Sequence, residues 1–319
     1  MGSELKLSRF VHAFDIEDSL ALFHSFRVDT VFLPKESRDL LDRLRLGVSP
    51  TEARKMFGTK STKTLTDKYF LVDSSYDEIA ELQKCVRKDV SGTYFHTMYL
   101  LLAEPCNLDC GYCFFQDEMP VRKTGDRIMK ESTAKNALDL FSTWAEKKQP
   151  ATIILYGGDP LINMRTLKFA ISYTDQLVSE GKLHADTVVS IVCNGTLINE
   201  DFVEFLKSFG RRVSLGISLD GPRHIHDFWR KDKKKRGSYD RAIAGYTLAK
   251  EGGLSPSISC TLAPNNLPEI DAITDWLIEM EPAGMSFNLL ADTSKLHMDA
   301  KYAEDATNAM IRAFKRLSV

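Results

Sequence analysis

Three cysteines occupy one short run, Cys106-Asn-Leu-Asp-Cys110-Gly-Tyr-Cys113. An iron–sulfur cubane ordinarily takes four thiolates, one on each iron. Three closely spaced thiolates therefore leave one iron open to a ligand that is not protein, and an open iron is a reaction site. A zinc centre would want a closed set of four ligands with a second, similar pair downstream. The remaining cysteines, Cys85, Cys193 and Cys260, are solitary, and none pairs with a histidine at ligand spacing. Disulfides fit no better, because six cysteines in 319 residues is ordinary usage and the N-terminus has no signal-peptide pattern. A reduced, cytoplasmic protein is expected.

The thiolates need rigid elements to hold them, and the chain around them has the rhythm of repeated βα units. From about Met98, apolar runs of strand length alternate with amphipathic stretches of helix length, which is the signature of a parallel sheet. Six strands are expected: Met98 to Glu104, Thr152 to Gly157, Thr187 to Cys193, Arg212 to Leu219, Ser257 to Leu262 and Gly284 to Leu290. Among the helices, one starts near Asn199 and stops at Gly210. Another has Ser238 as N-cap and closes on Gly252-Gly253, and the last runs from about Asp299 to Leu317.

In the fourth strand Val213, Leu215, Ile217 and Leu219 share one face, while Ser214, Gly216, Ser218 and Asp220 share the other. Ser257, Ser259 and Thr261 repeat the small polar face, as do Ser286 and Asn288. A sheet covered by helices on both sides would be apolar on both faces. Helices on one side and a small, wet face on the other describe an α/β fold, an open partial (β/α)6 barrel whose lumen holds a ligand. The same parity sets Cys193 and Cys260 among the aliphatics, as packing residues.

The cysteine loop follows the first strand and Gly157-Gly158-Asp159-Pro160 the second. Cys193-Asn194-Gly195-Thr196 ends the third, and Ser218-Leu219-Asp220-Gly221-Pro222 the fourth. Each alone reads as turn chemistry. Together they converge on the carboxyl-terminal rim, where barrel enzymes build their sites. The CxxxCxxC loop with Tyr112 before its last cysteine, followed by the Gly-Gly-Asp-Pro turn, resembles the radical S-adenosylmethionine superfamily. The run Ser218-Leu-Asp-Gly-Pro-Arg-His-Ile-His-Asp-Phe-Trp-Arg230, then Gly237-Ser238-Tyr239-Asp240, is similar to its peptide- and protein-modifying branch. That branch includes anaerobic sulfatase maturases and ribosomal-peptide maturases, and the resemblance covers about Thr97 to Ala291.

The resemblance implies a [4Fe–4S] cluster on Cys106, Cys110 and Cys113, with S-adenosyl-L-methionine chelating the fourth iron. It implies that Gly157 and Gly158 bring backbone close to the methionine moiety, with Asp159, where the family usually has Glu, near its amino group. Asn194, Ser218 and Arg230 would contact ribose and carboxylate, and Tyr112 the adenine side. A one-electron reductant such as a flavodoxin or ferredoxin would drive cleavage to a 5'-deoxyadenosyl radical. That radical would take hydrogen from a residue of a ribosomally made precursor peptide. A sulfatase-type protein maturase and a catalytically silent cluster- or peptide-binding scaffold are the alternatives.

Other features read more plainly. Arg230-Lys-Asp-Lys-Lys-Lys-Arg236 is a basic run of the kind usually found in solvated loops. His224 and His226 read as structural, and Asp220 as bonding its own turn. Residues 1–92 read as a small winged-helix-like α+β domain ahead of the barrel at 93–319. Strands are expected over Arg9 to Ile16, Ser19 to Arg27 and Thr30 to Leu33, then a helix from Pro34 or Glu36 to Leu46. Ser49-Pro50-Thr51-Glu52 and Ser75-Tyr-Asp-Glu78 are helix starts.

By pattern this domain resembles the precursor-recognition domains of peptide maturases, which add a leader peptide to a sheet edge. A structural cap on the barrel is an equal alternative, and a DNA-binding winged helix has only the modest basic stretch Arg54, Lys55, Lys60, Lys63 and Lys68 behind it. Lys+Arg 42 against Asp+Glu 44 implies no nucleic-acid partner, and no apolar stretch approaches the length of a membrane span. With no cysteine after Cys260, the chain is expected to be a single-cluster enzyme or a fragment cut at the barrel boundary.

Overall fold

The computed structural model describes residues 4–16, 18–90, 95–114, 128–290 and 297–317. The chain forms two compact units, Met1–Thr93 and Tyr94–Val319.

In the first unit β1 (Leu5–Leu7) pairs antiparallel with β5 (Leu71–Asp73). Strands β2 (Val11–Ile16), β3 (Ser19–His24) and β4 (Asp29–Pro34) form an antiparallel sheet with β3 in the centre. Their inward residues, Val11, Leu20, Leu22 and Leu33, pack with Leu44, Ala53 and Phe70. Lys35–Leu40 is a 3-10 turn, not the α-helix expected there, and it runs into the short α1 (Leu41–Leu46). Helix α2 (Pro50–Asp67) opens on the Ser49/Glu52 capping box and bends at Gly58, whose φ of 79° no helix contains. Helix α3 (Glu78–Val90) is capped by Asp77, which accepts from the N–H groups of Ile79 and Ala80; the hydroxyl of Ser75 is spent on Asp73. Strands β1 and β5 were not expected, because three residues carry too little alternation to read.

The second unit is one parallel sheet of six strands lying in sequence order. These are β6 (Thr97–Ala103), β7 (Thr152–Gly157), β8 (Val188–Cys193), β9 (Val213–Ser218), β10 (Ser257–Leu262) and β11 (Met285–Leu289). The bounds differ from the expected ones by a residue or two, as strand ends usually do. Helices α4 (Glu131–Trp144), α5 (Met164–Ser179), α6 (Glu200–Lys207), α7 (Arg223–Trp229), α8 (Tyr239–Glu251), α9 (Ile270–Met280) and α10 (Ala300–Leu317) complete the βα repeat.

One face of the sheet, with Leu155, Ile191, Leu215, Ile217, Ile258 and Leu262, is buried in the main core. Cys193 and Cys260 belong to the same core. The other face carries Ser190, Ser218, Ser259 and Thr261, none of them fully buried. This is the open partial barrel that the alternation predicts, with helices on one side and a polar face on the other. Asn199 caps α6 as expected, accepting from Phe202 N. Ser238 does not cap α8: its hydroxyl donates to Arg230 O, and the carboxylate of Asp227 accepts from Tyr239 N instead. Strand β11, at the sheet edge, is exposed along both faces.

Candidate cofactor site

The cysteine loop leaves β6 at Ala103 and is gripped by three successive strand ends. At the end of β7, Gly158 N donates to Ala103 O at 2.8 Å and Asp159 N to Pro105 O at 3.2 Å. A Cβ on Gly157 would overlap the Ala103 carbonyl, and one on Gly158 would overlap the carbonyls of Glu104 and Pro105. Gly157 also has a φ of 139°, which L side chains rarely adopt. The glycine pair is therefore required by the cysteine loop itself.

At the end of β8, Asn194 Nδ2 donates to Asn107 Oδ1 at 2.8 Å and lies 3.7 Å from Cys106 Sγ. Asn107 Nδ2 donates in turn to Thr196 Oγ1 at 2.8 Å. Beyond β9, Asp220 does not bond its own turn, as its sequence position had suggested. Its Oδ2 accepts from Tyr112 OH at 2.5 Å and Arg230 Nε at 2.8 Å, and its Oδ1 accepts from Thr261 N at 3.0 Å. The Arg230 guanidinium sits 5.4 Å from the Tyr112 ring centroid.

The basic run is not a free loop. Asp109 N donates to Lys231 O at 2.7 Å and Gly111 N to Trp229 O at 3.1 Å, so residues 229–232 pair with the cysteine loop as a short antiparallel strap. Gly111 is needed at this contact, since a Cβ there would lie 2.7 Å from the Trp229 ring.

Charge at this rim follows burial and partners. Burial pushes the Cys106 thiol up and the Cys110 thiol up to about 12, against the pull of Arg230 on Cys110. Burial likewise raises Asp159 to about 6, opposed only by N–H bonds from Asn194 and Leu161. Burial pushes Asp220 up as well, but the charge of Arg230, His226 and the hydrogen bonds from Arg230 and Tyr112 together outweigh it and hold the carboxyl below the usual range. His226 is driven down to about 4, chiefly by burial. Its Nδ1 faces Asp220 N and its Nε2 faces Ser238 Oγ.

The three thiols open on one cavity of about 280 Å³. Gly157, Gly158, Asn194, Ser218, Arg230 and Tyr112 line it too, so nine of the ten residues expected at the site, counting the cysteines, meet at one place. Asp159 is the exception: it does not line the cavity, and its two oxygens accept from Leu161 N at 3.0 Å and Asn194 N at 2.9 Å. Residues 101–277 match the Radical SAM superfamily, 177 positions by those bounds and more than half of the chain. The chain belongs to that superfamily.

Among curated relatives, the chain is 29% identical over 173 residues to the cysteine-type anaerobic sulfatase-maturating enzyme of Clostridium novyi, covering 53% of this chain and 44% of that one. It is 24% identical over 198 residues to the serine-type enzyme of Klebsiella aerogenes, covering 61% and 47%. The chain thus spans about half the length of these maturases. Among solved structures, anSMEcpe with bound AdoMet superposes with a TM-score of 0.59 at 21% identity, covering 69% of this chain and 59% of that one. Streptococcus suis SuiB bound to S-adenosylmethionine superposes with a TM-score of 0.54 at 16% identity, covering 98% and 71%. At those identities the likeness is one of fold.

The donor set of this radical SAM chain fits a cubane better than a single ion. Among the described residues no group of three or more His, Cys, Asp or Glu side chains is placed to share one metal ion. A cubane spreads its thiolates over separate irons, so Cys106, Cys110 and Cys113 need to face one cavity, not one point. The sequence assigns no role to Asn107 or Trp229, and it places Thr261 on the polar face without its bonds to Asp220 and Arg230. Asn107 had a signal, lying inside the cysteine run; Thr261 and Trp229 touch the site only through contacts far apart in the chain. Among the described residues no helix is long and apolar enough to cross a membrane.

Proposed function

We propose that this chain is a radical SAM enzyme that abstracts hydrogen from a residue of a ribosomally made peptide. The observation that carries it is the convergence of three thiols, a glycine pair packed on their loop and a polar strand face on one cavity. A [4Fe–4S] cluster with S-adenosylmethionine supplies, when bound, one-electron cleavage of the sulfonium to a 5'-deoxyadenosyl radical.

Cys106, Cys110 and Cys113 would hold the cluster, leaving one iron to S-adenosylmethionine. Gly157 and Gly158 present bare backbone to the methionine end. Ser218, Asn194 and Arg230 offer hydroxyl, amide and guanidinium donors to its carboxylate and ribose, with Tyr112 on the adenine side. Asp159 works one step back, holding the N–H groups of Leu161 and Asn194 and so the shape of the glycine turn. Arg230 arrives with Nε already fixed by Asp220 and Nη2 donating to Thr261 Oγ1 at 3.4 Å, so its guanidinium meets a ligand at little further entropic cost.

The peptide assignment draws on the relatives. SuiB has been solved bound to its precursor peptide SuiA, and anSMEcpe with AdoMet and a peptide. The first unit suits leader recognition, because β2 and β4 are the edges of its three-stranded sheet and an extended peptide can add to such an edge. Action on a sulfatase-derived segment is the second reading, favoured by the 29% identity to a sulfatase maturase.

The test is anaerobic reconstitution with iron and sulfide, then dithionite and S-adenosylmethionine, with 5'-deoxyadenosine read by mass spectrometry. Product is expected, and it should be lost in the Cys106→Ala, Cys110→Ala and Cys113→Ala variants. A loaded cluster with no product would leave a silent scaffold. Transfer of deuterium from labelled precursor or sulfatase peptides into the deoxyadenosine separates the two substrate readings.

A further inference from the structure

Beyond Arg230, the basic run lies against the cysteine loop yet takes no part in the chemistry assigned above. We propose that the strap Lys231–Arg236 is the docking surface for a small acidic one-electron carrier protein of the flavodoxin or ferredoxin class. This rests on the cluster reading of Cys106, Cys110 and Cys113.

Charge is the first argument. The strap carries five cations, Lys231, Lys233, Lys234, Lys235 and Arg236, against Asp232 within it and Asp109 beside it. Asp232 takes Arg236 and Asp109 takes Lys235, whereas Lys231, Lys233 and Lys234 have no carboxylate partner among the described residues. Lys233 and Lys234 are exposed. The whole chain has a net charge of -2, so this positive patch is local. A local patch of one sign steers a partner of the opposite sign.

Rigidity is the second argument. Asp232 is buried, and its Oδ1 accepts from the backbone N–H of Lys234 at 2.9 Å and of Arg236 at 3.0 Å. The turn is closed from inside, and the lysines project from a fixed backbone.

Position is the third. The carbonyl of Lys231 accepts from Asp109 N, one residue from Cys110, so a carrier seated on the lysines is joined to a cluster thiolate by a few covalent bonds and one hydrogen bond. The step is a bare electron transfer with no heavy-atom bond made or broken. The carrier's flavin hydroquinone goes to the semiquinone, or its reduced [2Fe–2S] centre is reoxidised, and one electron enters the cluster. A nucleic acid fits less well, because three unpartnered lysines on an acidic chain make too small a footprint for a polyanion.

The test is the Lys233→Glu/Lys234→Glu double variant of the full, cluster-loaded chain. Its oxidation of flavodoxin hydroquinone and of reduced plant-type ferredoxin is followed by stopped flow at low and high ionic strength. At low salt the second-order rate should fall about tenfold or more with at least one carrier, and the gap should close as salt screens it. Dithionite-driven deoxyadenosine formation and peptide affinity should be unchanged. In the wild type, carbodiimide cross-links to the carrier should map to Lys231–Lys235.

Equal rates for variant and wild type, or no reduction by either carrier of a cluster that dithionite reduces, would overturn the docking site. So would a loss confined to the affinity for an acidic peptide or an oligonucleotide. Absence of deoxyadenosine with dithionite would strike the cluster reading instead.

Discussion

The cysteine loop is gripped from two sides by opposite means. On the β7 side the grip is backbone against backbone: Gly157 and Gly158 have no side chain, and the loop's carbonyls fill the space where one would be. On the β9 side the grip is made of charge. Asp220 is fully buried and holds Tyr112, Arg230 and the Thr261 N–H at once. The two carboxylates nearest these clamps show the same contrast. Asp159 and Asp220 are both buried and both accept backbone N–H bonds, yet Asp159 is raised to about 6 while Asp220 is lowered. Arg230, with His226 and the Tyr112 hydroxyl, makes the difference. A steric clamp fails when something is added, and an electrostatic clamp fails when something is taken away.

The largest effect should come from adding to the first clamp. Gly158→Val drives methyl groups into the carbonyls of Glu104 and Pro105, so the loop cannot close and the three thiols cannot face one cavity. Iron content and the visible absorbance of the reconstituted protein should both fall to background. A variant that loads iron normally would show that the glycines do not shape the loop.

Taking Asp220 away should come next. Asp220→Ala strands a buried guanidinium, a defect that typically costs about 3–5 kcal/mol. Thermal melting of the metal-free chain reads it directly. Asp220→Asn keeps an acceptor for Thr261 N but loses the charge and the second oxygen that takes Tyr112 and Arg230, and its melt should fall between those of the wild type and Asp220→Ala. A melt of Asp220→Ala that overlays the wild type would break the contrast.

The two clamps also respond to pH in opposite directions. Hydrogen bonding assigns His226 as the neutral tautomer with Nδ1 accepting from Asp220 N and Nε2–H donating to Ser238 Oγ, whose own hydroxyl is given to Arg230 O. A second proton would have to point at the Asp220 N–H. Its folded value of about 4 lies below the ordinary 6.5, so the unfolded chain binds the proton first. The stability is fully present above about pH 6.5 and drains away as pH falls toward 4, about 3 kcal/mol in all. Asp159 has the opposite sign: its raised folded value means stability falls as pH rises from its unfolded value to about 6. Denaturant midpoints between pH 4 and 7 should therefore be flatter than either group alone predicts. His226→Gln should unmask the Asp159 slope, with stability now falling as pH rises. A variant profile that overlays the wild type would remove His226 from the account.

Much of this was legible along the chain. The period-2 alternation of β9 and β10 located the wet face and put Cys193 and Cys260 in the core, because parity survives small errors in strand ends. The rim motifs were legible for a related reason: a turn at a strand end has a local composition. What could not be read was partnership across sequence distance. Nothing near Asp220 says that its partners are Tyr112, 108 residues away, and Arg230, 10 residues on. The basic run looked solvated because its composition is that of a loop, and its backbone pairing with Leu108–Gly111 leaves no trace in residue type. Ser238 and Ser75 were expected as caps because a serine at a helix start usually is one. In the fold, each hydroxyl met a better acceptor first.

The smallest effect tests whether the charge clamp is a unit or a sum. Tyr112→Phe removes one donor from Asp220 Oδ2, which keeps Arg230 Nε, so no buried carboxylate is left bare and the loss should be about 1–2 kcal/mol. If Tyr112 and Arg230 bond Asp220 independently, combining Tyr112→Phe with Asp220→Asn should cost the sum of the two. Because the Arg230 guanidinium lies over the Tyr112 ring as well as against Asp220, the three side chains share contacts, and neighbours of that kind couple by about 0.5–3 kcal/mol. The double variant should be less damaged than the sum, since the hydroxyl has little left to hold once the charge is gone. Strict additivity in the melting curves would mean that Tyr112 is held by packing, and that on this side too the cysteine loop is gripped by shape.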